Sequence, residues 1–259
     1  MTDLRLGDYK EMIKDIPDKS IDLVVTDPPY LHIKGGCKSK RLNVGCRDAH
    51  SNVVDKMSDF GQEQINEFLD AVKPKMKQVN MYVFCSKLQI PHYLNWAIKN
   101  KLQYDLLFWY KNTNRMISTK FYASNVEYIV RIYGSGCSLK SILDESGKAR
   151  SEMYQKIFCY DTPKNKEHEA QKPVEMLERL ILLSSNKGDK VLDCFMGSGS
   201  TALACVRTLR NFIGIEIDEK AYNTARKRLE EELQHNFLGF FLNAESLELK
   251  DDDEVCSEL

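Results

Sequence analysis

The sequence predicts an α/β fold, a single domain whose mostly parallel sheet carries helices on both faces. Three observations support this. Short apolar runs alternate with amphipathic stretches; two of the runs stop abruptly at proline- or glycine-bearing turns; and one such turn opens straight into an apolar helix that leads to another strand.

In chain order, IDLVVT (21–26), VNMYVFC (79–85), LQYDLLFWY (102–110), NVEYIVRI (125–132), DKVLDC (189–194) and NFIGIEI (211–217) read as strands. Their β-branched and aromatic content suits a pleated, buried surface. QEQINEFLDAV, LQIPHYLNWAIKN, PVEMLERLILLSS and STALACVRTLR repeat apolar residues at three and four, the spacing of a helix with one buried stripe.

Two stretches break the rhythm. Residues 31–60 are basic, contain Gly35, Gly36 and Gly45, and read as a long mobile loop, which in a compact domain usually serves function. Residues 134–170, with Gly134, Gly136, Gly147 and Pro163, read as a small insertion. The expected domain covers 1–235, and 236–259 form an acidic tail.

At 259 residues, 42% hydrophobic and 29% charged, the chain can fill one core. Its net charge of −1 hides an asymmetry. Residues 230–259 hold ten acids and one lysine, which leaves a balance of +8 for residues 1–229. Within these, 31–47 carry five Lys/Arg and no acid. The eight cysteines form no C-x-x-C pair and have no histidine at finger spacing, so neither zinc nor a disulfide framework is expected, and no metal. No apolar run approaches membrane-spanning length and the start is charged, so a cytoplasmic, membrane-free protein is expected.

In VLDCFMGSGSTALACVRTL a strand ends in Asp193, a turn carries Gly197 and Gly199, and Thr201 opens a helix; Glu216 then closes the next strand. Glycines let a backbone approach a ligand closely, and a carboxylate ending the second strand can accept both ribose hydroxyls. A pyrophosphate would be repelled by Asp193, and the third glycine of a dinucleotide site is missing. A ligand with an ammonium and a sulfonium suits that carboxylate, which favours S-adenosylmethionine over NAD.

The strand IDLVVT runs into Asp27-Pro28-Pro29-Tyr30. Prolines end the strand and stiffen the turn at its carboxyl end, where open parallel sheets place their sites. Asp27 and the Pro28 carbonyl can act as two acceptors beside the flat face of Tyr30, an arrangement suited to an amino group on an aromatic ring.

With both motifs in one chain, the sequence resembles the amino-type DNA methyltransferases, in the permuted group where the catalytic tetrapeptide precedes the cofactor glycines. RLGDYKEMIKDIPDKSIDLVVTDPPY is similar to that group's amino-terminal block, and EAQKPVEMLERLILLSSNKGDKVLDCFMGSGSTALACVRTLRNFIGIEID to its carboxyl block. The resemblance implies a Rossmann-like methyltransferase domain and a catalytic Asp27, Pro28, Pro29 and Tyr30. It implies that S-adenosylmethionine meets Asp8, Asp27, Gln171, Lys172, Pro173, Asp193, Phe195, Gly197, Ser198, Gly199, Thr201 and Glu216. Tyr30 and Trp109 would line the base pocket, and the insertion at 134–170 would recognise the target. Departures from the pattern are Cys194 in place of proline, Ser200 in place of threonine, and NKEHEA before Gln171.

The implied activity is methyl transfer to adenine N6 in double-stranded DNA, on a base flipped from the helix at a cost of a few kcal/mol. Cytosine N4 is the nearest alternative, although that specificity more often has serine at the position of Asp27. RNA, protein glutamine, and a binding module without catalysis are the others. Members of the group often pair, so a homodimer and a restriction–modification partner stay open. Lys34, Lys38, Lys40, Arg41 and Arg47 are the expected phosphate contacts. Replacing Lys38, Lys40 and Arg41 with alanine should weaken DNA binding and flatten its dependence on log[salt] by about 0.9 per lost contact, as read by fluorescence titration.

Overall fold

The computed structural model describes residues 1–30, 60–111, 125–162 and 171–234. The five expected phosphate-contacting cations and the acidic tail lie outside them. Among the described residues, eight strands form one sheet: β1 (Thr2–Leu6), β2 (Leu23–Thr26), β3 (Asn80–Cys85), β4 (Gln103–Tyr110), β5 (Val126–Tyr133), β6 (Ile157–Cys159), β7 (Lys190–Asp193) and β8 (Asn211–Glu216). Their spatial order is β1-β8-β7-β2-β3-β5-β4-β6. Only β5 runs against the others, pairing antiparallel with β3 and β4. The mostly parallel expectation therefore holds, with one reversed strand near the β6 edge.

The helices are α1 (Tyr9–Met12), α2 (Gln62–Val72), α3 (Ile90–Lys99), α4 (Val174–Ser184), α5 (Ser200–Arg207) and a last helix, α6, over 219–234. Because side chains alternate across a strand, consecutive residues feed two separate cores. Val24 and Leu192 join Ile65, Phe68 and Leu69 of α2 and Tyr93 and Trp96 of α3 on one side. Leu23, Val25 and Val191 join Met176, Leu177 and Leu180 of α4 and Ala202 and Leu203 of α5 on the other. Burial on both faces explains why β2 and β3 are almost wholly apolar rather than alternating, with only Thr26 and Asn80 polar at their ends.

The sequence-read strands and longer helices appear with ends shifted by no more than three residues. β1, β6, α1 and α6 were not legible. β1 is a half-buried edge strand with charges at Asp3 and Arg5, β6 has three residues, and α1 is a single turn. The insertion contributes β6 to the sheet edge through its pairing with β4. Its attachment is polar: the buried Arg179 of α4 donates to the carbonyls of Met153 (2.9 Å) and Gln155 (2.7 Å), and its guanidinium stacks on Phe158. A second buried cation, Arg210, gathers the Ser185 carbonyl (2.7 Å) and hydroxyl (3.1 Å), tying the end of α4 to the start of β8. Each such bond is charge-assisted and contributes about 1.5–3 kcal/mol.

Leu69, fully buried between α2 and the sheet, tests this packing. Leu69→Ala should cost about 2–5 kcal/mol in urea unfolding with the m-value preserved.

Candidate active site

The parallel strands deliver their carboxyl ends to one edge, so Asp27 after β2, Asp193 at the end of β7 and Glu216 at the end of β8 become neighbours although 166 residues separate the first two. The join is specific. Thr26, fully buried, donates its hydroxyl to Asp193 Oδ1 (2.7 Å), Thr201 donates to Oδ2 (2.7 Å), and the Phe195 amide donates to Oδ1 (3.1 Å). Asp193 therefore does not stand open in the cleft, as the charge argument from sequence had it: it is 3% exposed and its oxygens are taken by the protein. In this structure it locks the glycine turn onto the strand that carries the Asp-Pro-Pro-Tyr turn.

Gly197 (φ +52) and Gly199 (φ +80) take left-handed conformations that side chains disfavour. They differ in surroundings. A Cβ on Gly199 would come within 2.8 Å of the Ala225 Cβ on α6, so this glycine allows close helix packing. A Cβ on Gly197 would meet nothing within 4 Å, so its backbone faces open space. The Gly197 amide donates to Glu216 Oε2 (2.8 Å) and the Asp218 amide to Oε1 (2.8 Å), which aims that carboxylate along the turn. Ser198 is buried, and Arg228 donates to its carbonyl (2.5 Å) and hydroxyl (3.1 Å).

Phe195 leaves the turn into an aromatic cluster with Tyr9 (5.0 Å between centroids), Phe60 (5.6 Å) and Phe68 (5.4 Å). Asp8 is exposed at the end of β1, where it caps α1 by accepting from the Lys10 amide (3.0 Å). Gly7, just before it, donates to the Glu216 carbonyl (2.8 Å). Asp8, Phe195, Gly197 and Glu216 thus border one end of the edge. Pro173 precedes α4, and the side-chain oxygen of Gln171 is buried and has no hydrogen-bond partner among the described residues.

In the other half, Asp27 is engaged on both oxygens. Tyr30 donates its hydroxyl to Oδ1 (2.8 Å), and the Lys172 ammonium pairs with Oδ2. Burial first, then the charges of Asp27 and Glu127, pushes the Tyr30 phenol well above its usual value, so it remains a donor. Lys172 also lies 3.5 Å from Glu127 Oε2, while Lys111 pairs with Oε1 of the same residue. Burial works against the Lys172 charge, but the pull of Asp27 and Glu127 outweighs it and its pKa rises. Burial and then the Asp27 charge push the nearby Cys85 thiol up to about 12, far from the range of a cysteine nucleophile.

Sequence reasoning missed Thr26, Gln89, Lys111 and Glu127. Gln89, 1% exposed, donates from one nitrogen to the carbonyls of Pro29 (3.0 Å) and Phe60 (2.9 Å) and accepts from the Ser86 amide (3.0 Å), fixing the proline turn from below. The available signals were a polar residue ending an apolar strand and a carboxylate opening another. Trp109, expected at the base pocket, is 1% exposed, with its indole nitrogen on the Tyr160 carbonyl (2.8 Å) and the Lys111 ammonium 4.4 Å from the centre of its ring. Among the described residues, no group of three or more His, Cys, Asp or Glu could hold a metal ion, and no helix is long and apolar enough to cross a membrane.

Three comparisons bear on this geometry. Residues 21–227 match a family model described as DNA methylase, of the N6/N4 type. The Type II methyltransferase M.HpaI of Haemophilus parainfluenzae is 29% identical over 85% of this chain and 71% of its own length. M2.DpnII of Streptococcus pneumoniae is 27% identical over 89% and 90% respectively. The crystal structure of the M1.HpyAVI–SAM complex superposes with a TM-score of 0.65 at 27% identity, covering 88% of this chain and all of that one.

Burial lifts the Asp193 carboxyl to about 6, against hydrogen bonds from Thr26, Thr201 and Phe195 that lower it, with Asp27 adding to the rise. A carboxyl held above its unfolded value of about 3.9 stabilises the fold below that pH and loses its contribution as pH climbs through the folded value. In urea unfolding of the ligand-free protein, the stability of Asp193→Asn relative to the parent should improve by on the order of 3 kcal/mol between about pH 4 and pH 7.

Proposed function

The chain belongs to the N6/N4 DNA methylase family, and from that membership we propose that it is a site-specific DNA methyltransferase that uses S-adenosylmethionine and acts on adenine N6. The observation that carries this reading is Asp27 in its turn: a carboxylate at the end of a central strand, beside a protonated tyrosine and next to the glycine turn.

The residues present fit the cofactor. Open backbone at Gly197, the Glu216 carboxylate aimed along it, the aromatic wall around Phe195 and the buried Gln171 oxygen suit a nucleoside bearing an amino-acid tail. Asp8, Phe195, Gly197 and Glu216 would hold the adenosine, and Gln171 and Pro173 would border the methionine portion. Bound there, S-adenosylmethionine supplies an electrophilic methyl group.

The protein's part is to make a weak nucleophile competent. The lone pair of an exocyclic base amine is delocalised into the ring. An N–H donated to Asp27 draws that nitrogen out of plane, and the carboxylate stabilises the positive charge that grows on it. Tyr30 offers a face on which the base can stack. Gln89 keeps the turn from relaxing by holding the Pro29 carbonyl, so the acceptors need not reorganise when the base arrives. The raised thiol of Cys85 agrees with direct transfer rather than a covalent enzyme intermediate.

Adenine is favoured over cytosine N4 by the aspartate at position 27, where the cytosine pattern more often has serine. We assign target recognition to the insertion over 134–170, whose described part Arg179 fixes through the carbonyls of Met153 and Gln155.

Transfer of labelled methyl to mixed DNA, followed by nucleoside digestion and mass analysis, should yield N6-methyladenine. Asp27→Ala should lower the rate at least about a hundredfold while cofactor binding persists. N4-methylcytosine as the product would replace the base assignment, and no DNA product from the parental protein would overturn the reading.

A further inference from the structure

The Asp27 carboxylate holds one donor on each oxygen, Tyr30 on one and the Lys172 ammonium on the other. A base amine that donates to Asp27 therefore enters beside one of these donors or takes its place. Tyr30 lies three residues away in the same turn, whereas Lys172 reaches in on a long side chain from the start of α4. Its ammonium also sits 5.0 Å from the centre of the Phe84 ring and 5.9 Å from that of Tyr30, so a charged nitrogen stands between aromatic walls and a carboxylate, where a planar amine would be held.

The electrostatics require the lysine to move. Positive charge grows on the acceptor nitrogen during transfer, and a full positive charge on the same carboxylate would oppose it. Ejecting Lys172 into water is not open to a side chain 8% exposed. Glu127 provides a second seat. Its Oε2 is buried and already lies 3.5 Å from the ammonium with no other partner among the described residues, while Oε1 is occupied by Lys111. Burial raises the Glu127 carboxyl, but Lys172 and Lys111 outweigh it and hold the pKa below its usual value, so it is ionised and ready to receive a cation.

We propose that Lys172 holds the place of the substrate amine on Asp27 until a base enters, and that Glu127 is the positioning residue that then takes the ammonium over. The inference rests on the DNA-amine reading above. It makes Glu127 act on catalysis only through Lys172, which sets it apart from a structural ion pair.

Steady-state methyl transfer to DNA by the parent, Glu127→Gln, Lys172→Gln and the double variant tests this, with thermal melting as the folding control. Glu127→Gln strands the lysine on Asp27 and should lower kcat about tenfold with KM for S-adenosylmethionine unchanged. In the double variant no lysine is left to strand, so kcat should return to the Lys172→Gln value. Losses that add, or a Glu127→Gln enzyme with parental kcat, would overturn the proposal. Independently, Lys172→Gln should bind DNA about threefold more tightly in the presence of an unreactive cofactor analogue, because no placeholder has to leave; weaker binding would overturn it as well. A parent that methylates no DNA would bring down the functional reading itself, whereas additive losses in an active parent would remove this proposal alone.

Discussion

The buried acceptor at Asp193 is the constraint on which the site depends. The two turns that meet at the sheet edge come from opposite ends of the chain, and strand pairing between β2 and β7 sets only their approximate distance. The hydroxyls of Thr26 and Thr201 on a single carboxylate fix it to within a hydrogen bond. This carries a cost, since burying the ionised group is unfavourable and lifts its pKa. The carboxylate's four acceptor sites are enough to receive two hydroxyls and an amide together, which offsets that cost.

The rest of the edge follows the same economy, with polar groups that hold backbone rather than face solvent. Gln89 braces the proline turn, Glu216 aims the glycine turn, and Arg228 secures Ser198. Each backs a segment that substrate or cofactor would touch on its other side, which is how a site retains its shape before ligands arrive.

Much of this was legible in the sequence because the fold uses repetitive patterns there. The apolar runs of β2, β3, β7 and β8 and the stripes of α2 and α4 state their own period, and the Asp-Pro-Pro-Tyr and glycine turns carry their chemistry in adjacent residues. What could not be read was pairing at a distance. Thr26 and Asp193 are unremarkable apart, Glu127 resembles any charge at a strand start, and Trp109 in an aromatic strand gives no sign of whether it faces cleft or core. Asp193 reads in the sequence as an open charge because its formal charge is visible there and its three donors, Thr26, Thr201 and the Phe195 amide, are not.

The reversed direction of β5 has a further meaning for which charges such a site receives. Parallel strands bring only their last residues to the reactive edge. A strand laid in against them brings its first residues there: Tyr128 pairs with Cys85 at the very end of β3. Lys111 and Asn125, the two ends of the connection from β4 to β5, are hydrogen-bonded to each other at that same edge (2.8 Å). Both ends of the connection therefore directly flank the sheet, at the edge that carries the Asp-Pro-Pro-Tyr turn. The reversal brings Glu127 to within reach of Lys172 and of the Lys111 that pairs with it, a charge that the start of a parallel strand would leave at the opposite edge.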